Sequence, residues 1–293
     1  MSIDSNNFYN QSIALGTIAG LATPSIVKNK IAPHINNRLF RKLYNTNKLT
    51  KQEIDVLDKA TDKAFNISGL AKHGVKLAKV NEQTPFTKPE QIILDAIDKT
   101  TSNEKLREFK KSEAVFKYSA IKGYNAAFLP TTNEIMYNKE KMPLATFHEM
   151  GHAMNKYQTK ISKFLQESCR KNKKLAGLIS LVAILAPSKS QQSLHPMSDE
   201  DKIIGKFRDN AGLLAAATYL PTIIEESSAS YKGQKLAKKV LSPELAKKVK
   251  KCNAFGLSTY ILSAVAMGVG TELGVRLKDA VIKNGIDSAN KNA

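Results

Sequence analysis

The chain has 293 residues, 42% of them apolar, enough for one large or two small buried cores. Its formal net charge is +19, but its long apolar runs exclude a disordered polycation. Two cysteines, Cys169 and Cys252, exclude a disulfide framework and a cysteine-rich zinc module.

The first apolar stretch is Ser12–Val27. It has no basic region before it and no A-x-A-like site after it, so no cleaved signal peptide is expected. Lys28–Lys51 follows, with seven Lys/Arg and no acid. Thr50–Lys79 places Ile54, Leu57, Ala60, Ala64, Ile67, Leu70 and Ala71 at the spacing of an amphipathic helix, and Thr50 with Glu53 suits a capping box. A second helix is expected over Thr87–Lys99, with Pro89 in its first turn. Alternation over Ala126–Tyr137, interrupted by the polar Pro130–Asn133, predicts a hairpin. Met142–Gln158 reads as a helix again, with Pro143 in its first turn.

Three further apolar stretches are Leu175–Pro187, Ala211–Ile224 and Ala254–Gly274. Of these, Ala254–Gly274 reaches the ~20 residues that span a bilayer. Lys160–Lys174 carries six Lys/Arg against one Glu, and Lys232–Lys251 eight Lys against one Glu. Ser188–Asn210 balances four bases with four acids. If the apolar stretches cross a membrane in turn, every strongly basic segment falls on one side, which is the positive-inside pattern. The expected fold is mainly α with a small β-sheet, with membrane-embedded apolar helices. The expected regions are 1–27 (N-terminal apolar segment), 28–174 (cytosol-side helical region), 175–224 (apolar helical hairpin), 225–253 (a helix and basic segment) and 254–293 (C-terminal apolar helix and tail).

The chemistry rests on His148-Glu149-Met150-Gly151-His152. On a helix, two His at i and i+4 lie on one face, one turn apart, and both rings can reach one Zn²⁺. Glu149 projects beside them as a candidate base for water. With 5 His among 293 residues, chance yields such a motif roughly once in two hundred chains of this composition. A catalytic zinc needs a third protein ligand. The metzincin extension fails, because Asn155 and Gln158 stand where its Gly and His would be. His34, His73 and His195 remain, but a carboxylate is the stronger candidate. Glu225 and Glu226 directly follow the third apolar stretch, and either could complete the site. With two membrane crossings between them, His152 and these acids return to the same face.

At this point the chain resembles the gluzincin metallopeptidases of the membrane-bound HtpX and CAAX-prenyl-protease type, and the YugP-like zinc peptidases. In those families the pattern Glu-x-x-Ala-Asp or Glu-x-x-Ala-Ser follows HExxH, and its Glu is the third zinc ligand. Glu226-Ser227-Ser228-Ala229-Ser230 matches it, so the resemblance selects Glu226. Asn125-Ala126-Ala127-Phe128-Leu129-Pro130, then Asn133-Glu134-Ile135, looks like the families' segment leading to an edge strand beside a bound peptide. The resemblance covers about Gly123 to Gly233. Ser230 replaces the Asp common in the HtpX-like members, and the oxyanion-stabilising His or Tyr of other gluzincins has no clear match, with Tyr231 and Arg276 as candidates.

The resemblance implies one Zn²⁺ per chain, held by His148, His152 and Glu226. It implies a membrane-associated endopeptidase that hydrolyses peptide bonds through a zinc-bound water, with Glu149 as general base. The substrate would be a peptide or membrane protein, the active site would face the cytosol, and membrane lipid would be a partner. The first alternative is a catalytically silent membrane or scaffold protein that keeps a structural zinc helix. Nucleic-acid binding, suggested by +19, is disfavoured, because the basic runs flank apolar stretches and aromatics are only 7%.

Overall fold

The computed structural model describes residues 3–32, 34–35, 48–99, 113–158, 160–189 and 198–291. His195 and parts of the Lys28–Lys51 and Ser188–Asn210 segments lie outside them. The described chain is mainly helical with one small sheet. It divides into a sheet-bearing unit (Leu43–Gln166 and Ile224–Leu257) and a helical unit (Met1–Lys42, Glu167–Ile223 and Ser258–Ala293).

In the sheet-bearing unit, helix α2 runs over Lys51–Ser68. Thr50 Oγ1 accepts from the Glu53 N–H at 3.2 Å, and the Glu53 carboxylate accepts from the Thr50 N–H at 2.9 Å. That is the expected capping box. The helix stops well before the expected Lys79. Gly69 takes φ +74 and closes it, a short 3₁₀ turn covers Leu70–His73, and Gly74 at φ +73 leads into strand β1, Lys76–Val80. Left-handed φ favours glycine, so this pair marks the break. Helices α3 (Lys88–Lys99) and α4 (Glu113–Lys122) follow.

The hairpin forms from β2 (Ala127–Leu129) and β3 (Glu134–Asn138), with Phe128 opposite Ile135. Strand β3 is central, because β1 joins its other side in parallel, Leu77 opposite Ile135. Helix α5 covers Thr146–Gln158, starting later than the expected Met142. The Met142 N–H instead donates to the Asn138 carbonyl at 2.8 Å, in a turn leaving β3. Phe147 and Met150 of α5 enter a core with Leu57, Leu70, Phe128, Ile135 and Val249, which fixes the opposite face of α5 for the histidines.

Helices α1 (Ile3–Ile26, continued by a π turn over Val27–Ile31), α6 (Lys160–Leu185), α7 (Asp199–Asp209) and α8 (Ala211–Ala217) precede α9 (Leu220–Val240) and α10 (Pro243–Lys291). Helices α6, α9 and α10 supply residues to both units. The third apolar stretch is two helices, not one. Helix α8 ends at Ala217, and Pro221, which suits a first turn, opens α9. Glu225 and Glu226 therefore sit inside a long helix. Among the described residues one helix, within Pro243–Ser288, is long and apolar enough to cross a membrane, and it contains Ala254–Gly274.

Candidate metal centre

The site is built where α5 crosses α9. A Cβ added at Gly151 would lie 2.0 Å from the Ala229 carbonyl oxygen, and one added at Gly233 would lie 2.2 Å from that of Phe147. The two backbones therefore touch, which side chains at these positions would prevent. This contact brings Glu226, on α9, opposite His148 and His152 on α5.

The three side chains converge. His148 Nε2 and His152 Nε2 lie 2.9 Å apart, with the rings edge to face. Glu226 Oε2 lies 3.0 Å from the first and 3.4 Å from the second. Donor atoms arranged tetrahedrally at ~2.0 Å from a zinc ion would be about 3.3 Å apart. The triangle here has nearly those edges. The His148, His152, Glu226 group could hold a metal ion.

The outer nitrogens show which electron pairs face inward. His152 Nδ1 lies 2.8 Å from Glu225 Oε1. A carboxylate has no proton to give, so Nδ1 carries it, and in the neutral ring Nε2 keeps its lone pair. His148 Nδ1 lies 3.2 Å from Ser230 Oγ, which can accept in the same way. With Ser230 accepting, two lone pairs and a carboxylate oxygen meet, and such a meeting requires positive charge. Burial opposes a charged His152, but hydrogen bonds to Glu225 and Glu226 outweigh it and hold its pKa well above the usual value. Burial also works against the Glu226 anion, yet bonding to both imidazoles brings its pKa down to about 2. A proton on His152 and a metal cation answer the same demand.

Glu149 is buried beside this triangle, and its Oε2 accepts from the Phe128 N–H on β2 at 2.7 Å. Burial raises its pKa, while the two imidazoles and that hydrogen bond pull the other way. The arrangement thus brings together a metal-sized set of acceptors and a carboxyl group able to exchange a proton.

His148, Glu149, His152 and Glu226, the candidates for metal ligands and base, lie in the sheet-bearing unit. Glu225, the other acid considered, stands behind His152. His73 stacks on the Tyr157 ring at 4.7 Å. His34 and Arg276 belong to the helical unit, where Arg276 pairs with Glu272 at 2.7 Å. Tyr231 is 70% exposed. The sequence reading missed Asn155, which is fully buried and donates to Glu225, and Lys232, which donates to Asn155. Asn155 could have been found by helix spacing, since i+3 from His152 shares its face.

No protein-family model, curated protein or solved structure matches the chain.

Proposed function

We propose that the chain is a zinc-dependent endopeptidase of the gluzincin kind, associated with a membrane and with its active site on the cytosolic side. The observation that carries this reading is the triangle of three inward-facing acceptors with Glu149 at its edge. Two imidazoles and one carboxylate suit zinc, and three protein ligands leave a position open. His148, His152 and Glu226 would hold the ion. When bound, zinc supplies a Lewis acid that polarises a carbonyl and acidifies a water. Glu149 takes a proton from the attacking water and returns it to the leaving amine nitrogen. Strand β2 lies at the edge of the sheet, and an extended peptide can pair along such an edge. Membrane association is supported by the apolar length of α10 and by the basic runs that flank the apolar stretches.

The test compares wild-type protein with Glu149→Gln for zinc content and for cleavage of an unfolded protein. Both forms should carry one zinc per chain, and the amide should reduce turnover about 10²- to 10⁴-fold. Near wild-type turnover would remove Glu149 from the mechanism. Zinc without hydrolysis in the wild type would leave the silent scaffold as the better account.

A further inference from the structure

Behind the His152 ring, the side chains of α5 and α9 form a chain of hydrogen bonds whose direction can be read from one end. Lys232 donates to Asn155 Oδ1. An ammonium group has no acceptor, so the amide atom facing it must be the oxygen. Ser228 Oγ donates to the same oxygen at 2.9 Å. The Asn155 Nδ2 group is thereby turned to Glu225, 3.1 Å from Oε1 and 3.2 Å from its backbone carbonyl. Oε1 also faces His152 Nδ1 at 2.8 Å. Asn155 and Glu225 are 0% and 4% exposed, so water does not substitute for these partners.

We propose that Glu225, Asn155 and Lys232 are positioning residues that fix the tautomer and direction of His152. The proposal rests on the metal reading above. Lys232 sets the orientation of the Asn155 amide. Asn155 holds the Glu225 carboxylate, and Glu225 accepts the hydrogen bond from His152 Nδ1–H. The Nε2 lone pair is then committed to the triangle with His148 and Glu226. Asn155, the residue that breaks the metzincin pattern, is the clamp. Glu225 acts through His152 and stays out of the triangle.

The test uses metal-free full-length protein, titrated with Zn²⁺ in competition with a chromophoric chelator, and the absorption spectrum of the Co²⁺-loaded form. Loss of such an outer partner typically weakens metal binding about 10- to 100-fold. Glu225→Gln and Asn155→Leu should fall in that range, and the cobalt bands of Glu225→Gln should shift. Lys232 is half-buried at the rim, so its variants test the relay with little risk to folding. Lys232→Met should weaken binding, and Lys232→Arg, which also only donates, should restore it. A purely structural role would not distinguish Arg from Met in metal affinity while the melting temperatures of the metal-free forms agree. Wild-type affinity in both Glu225→Gln and Lys232→Met would overturn the relay alone, as would equal losses in the Arg and Met variants. A wild-type protein that binds neither Zn²⁺ nor Co²⁺ would overturn the metal reading and the relay together.

Discussion

Glu225 and Glu226 are neighbours in sequence yet reach different sides of the site. Successive residues on a helix point about 100° apart. Glu226 enters the triangle with both Nε2 atoms, and Glu225 meets the far nitrogen of one ring. Removing a ligand should cost more than removing the group behind it. Glu226→Ala is therefore expected to lose zinc on dialysis, whereas Glu225→Ala retains it at weakened affinity. Zinc kept by both would refute this ligand set, and the reverse result would exchange the two roles. Gly151 offers a test of the geometry that touches no donor atom. A methyl group there would lie 2.0 Å from the Ala229 carbonyl oxygen, so α9 would have to shift. Overpacking of this kind costs roughly 1–3 kcal/mol. Gly151→Ala should lower the melting temperature and, by moving Glu226 off the histidines, weaken zinc binding. Unchanged binding would mean that the crossing does not set the site.

The capping box at the start of α2 ties a local signal to a measurable pH dependence. Glu53 bonds the Lys248 ammonium at 2.6 Å and the Thr50 N–H at 2.9 Å, and in that order these lower its pKa below the usual 4.5. A carboxyl group held lower in the folded state stabilises the fold at pH above its unfolded value. That contribution fades as pH falls through the lowered value. Melting temperatures of wild type and Glu53→Gln should thus differ at neutral pH and converge on acidification. Thr50→Ala should cost about 1 kcal/mol, and a pH-independent gap for Glu53→Gln would contradict the linkage. The box was legible because its whole pattern lies within four residues. The hairpin was legible for a similar reason, since alternation and a polar turn are both local. Strand β1 was not, because it pairs with β3, more than fifty residues later, and its apolar residues continue the spacing of α2. The two glycines at positive φ were the available sign. At the site, the motif pointed to both histidines and the base. Spacing left Glu225 and Glu226 equivalent, and the crossing of α5 and α9 separates them. Asn155 and Lys232 escaped because their roles depend on a helix about seventy residues away.

The two units pack by opposite rules, which bears on the membrane. In the sheet-bearing unit large side chains such as Leu57, Phe147, Ile135 and Met150 are buried. In the helical unit the interior holds many small residues, among them Ala176, Ala183, Ala211 and Ala215. A Cβ at Gly20 would lie 2.8 Å from the Gly274 carbonyl oxygen, and Ser180 and Thr271 share a hydrogen bond of 2.6 Å. Large aliphatic residues instead lie exposed, at every fourth position of α10 from Ile261 through Val265, Val269 and Leu273 to Leu277. On α6, Leu175, Leu178, Val182 and Leu185, three or four apart, are exposed as well. Small residues within and large apolar residues without is an arrangement that suits helices in lipid, where close backbone contact, hydrogen bonds and van der Waals packing drive association. In water such a surface would mark an interaction site or an aggregation liability. Two buried cations of this unit find acceptors within it: Lys278 donates to the Ile184 and Ala186 carbonyls at the end of α6, and Arg208 Nη2 pairs with Asp279 Oδ2. The protein is therefore expected to sediment with membranes and to stay there through washes in high salt and at alkaline pH. Release by salt alone would mean that the basic runs bind lipid headgroups electrostatically and that no helix spans. Gly274→Leu separates packing from insertion. It should leave the protein in the membrane fraction but lower its melting temperature in detergent, because the new side chain meets the Gly20 carbonyl oxygen. Loss of the variant from the membrane fraction would instead show that the crossing of α1 and α10 is needed for insertion itself.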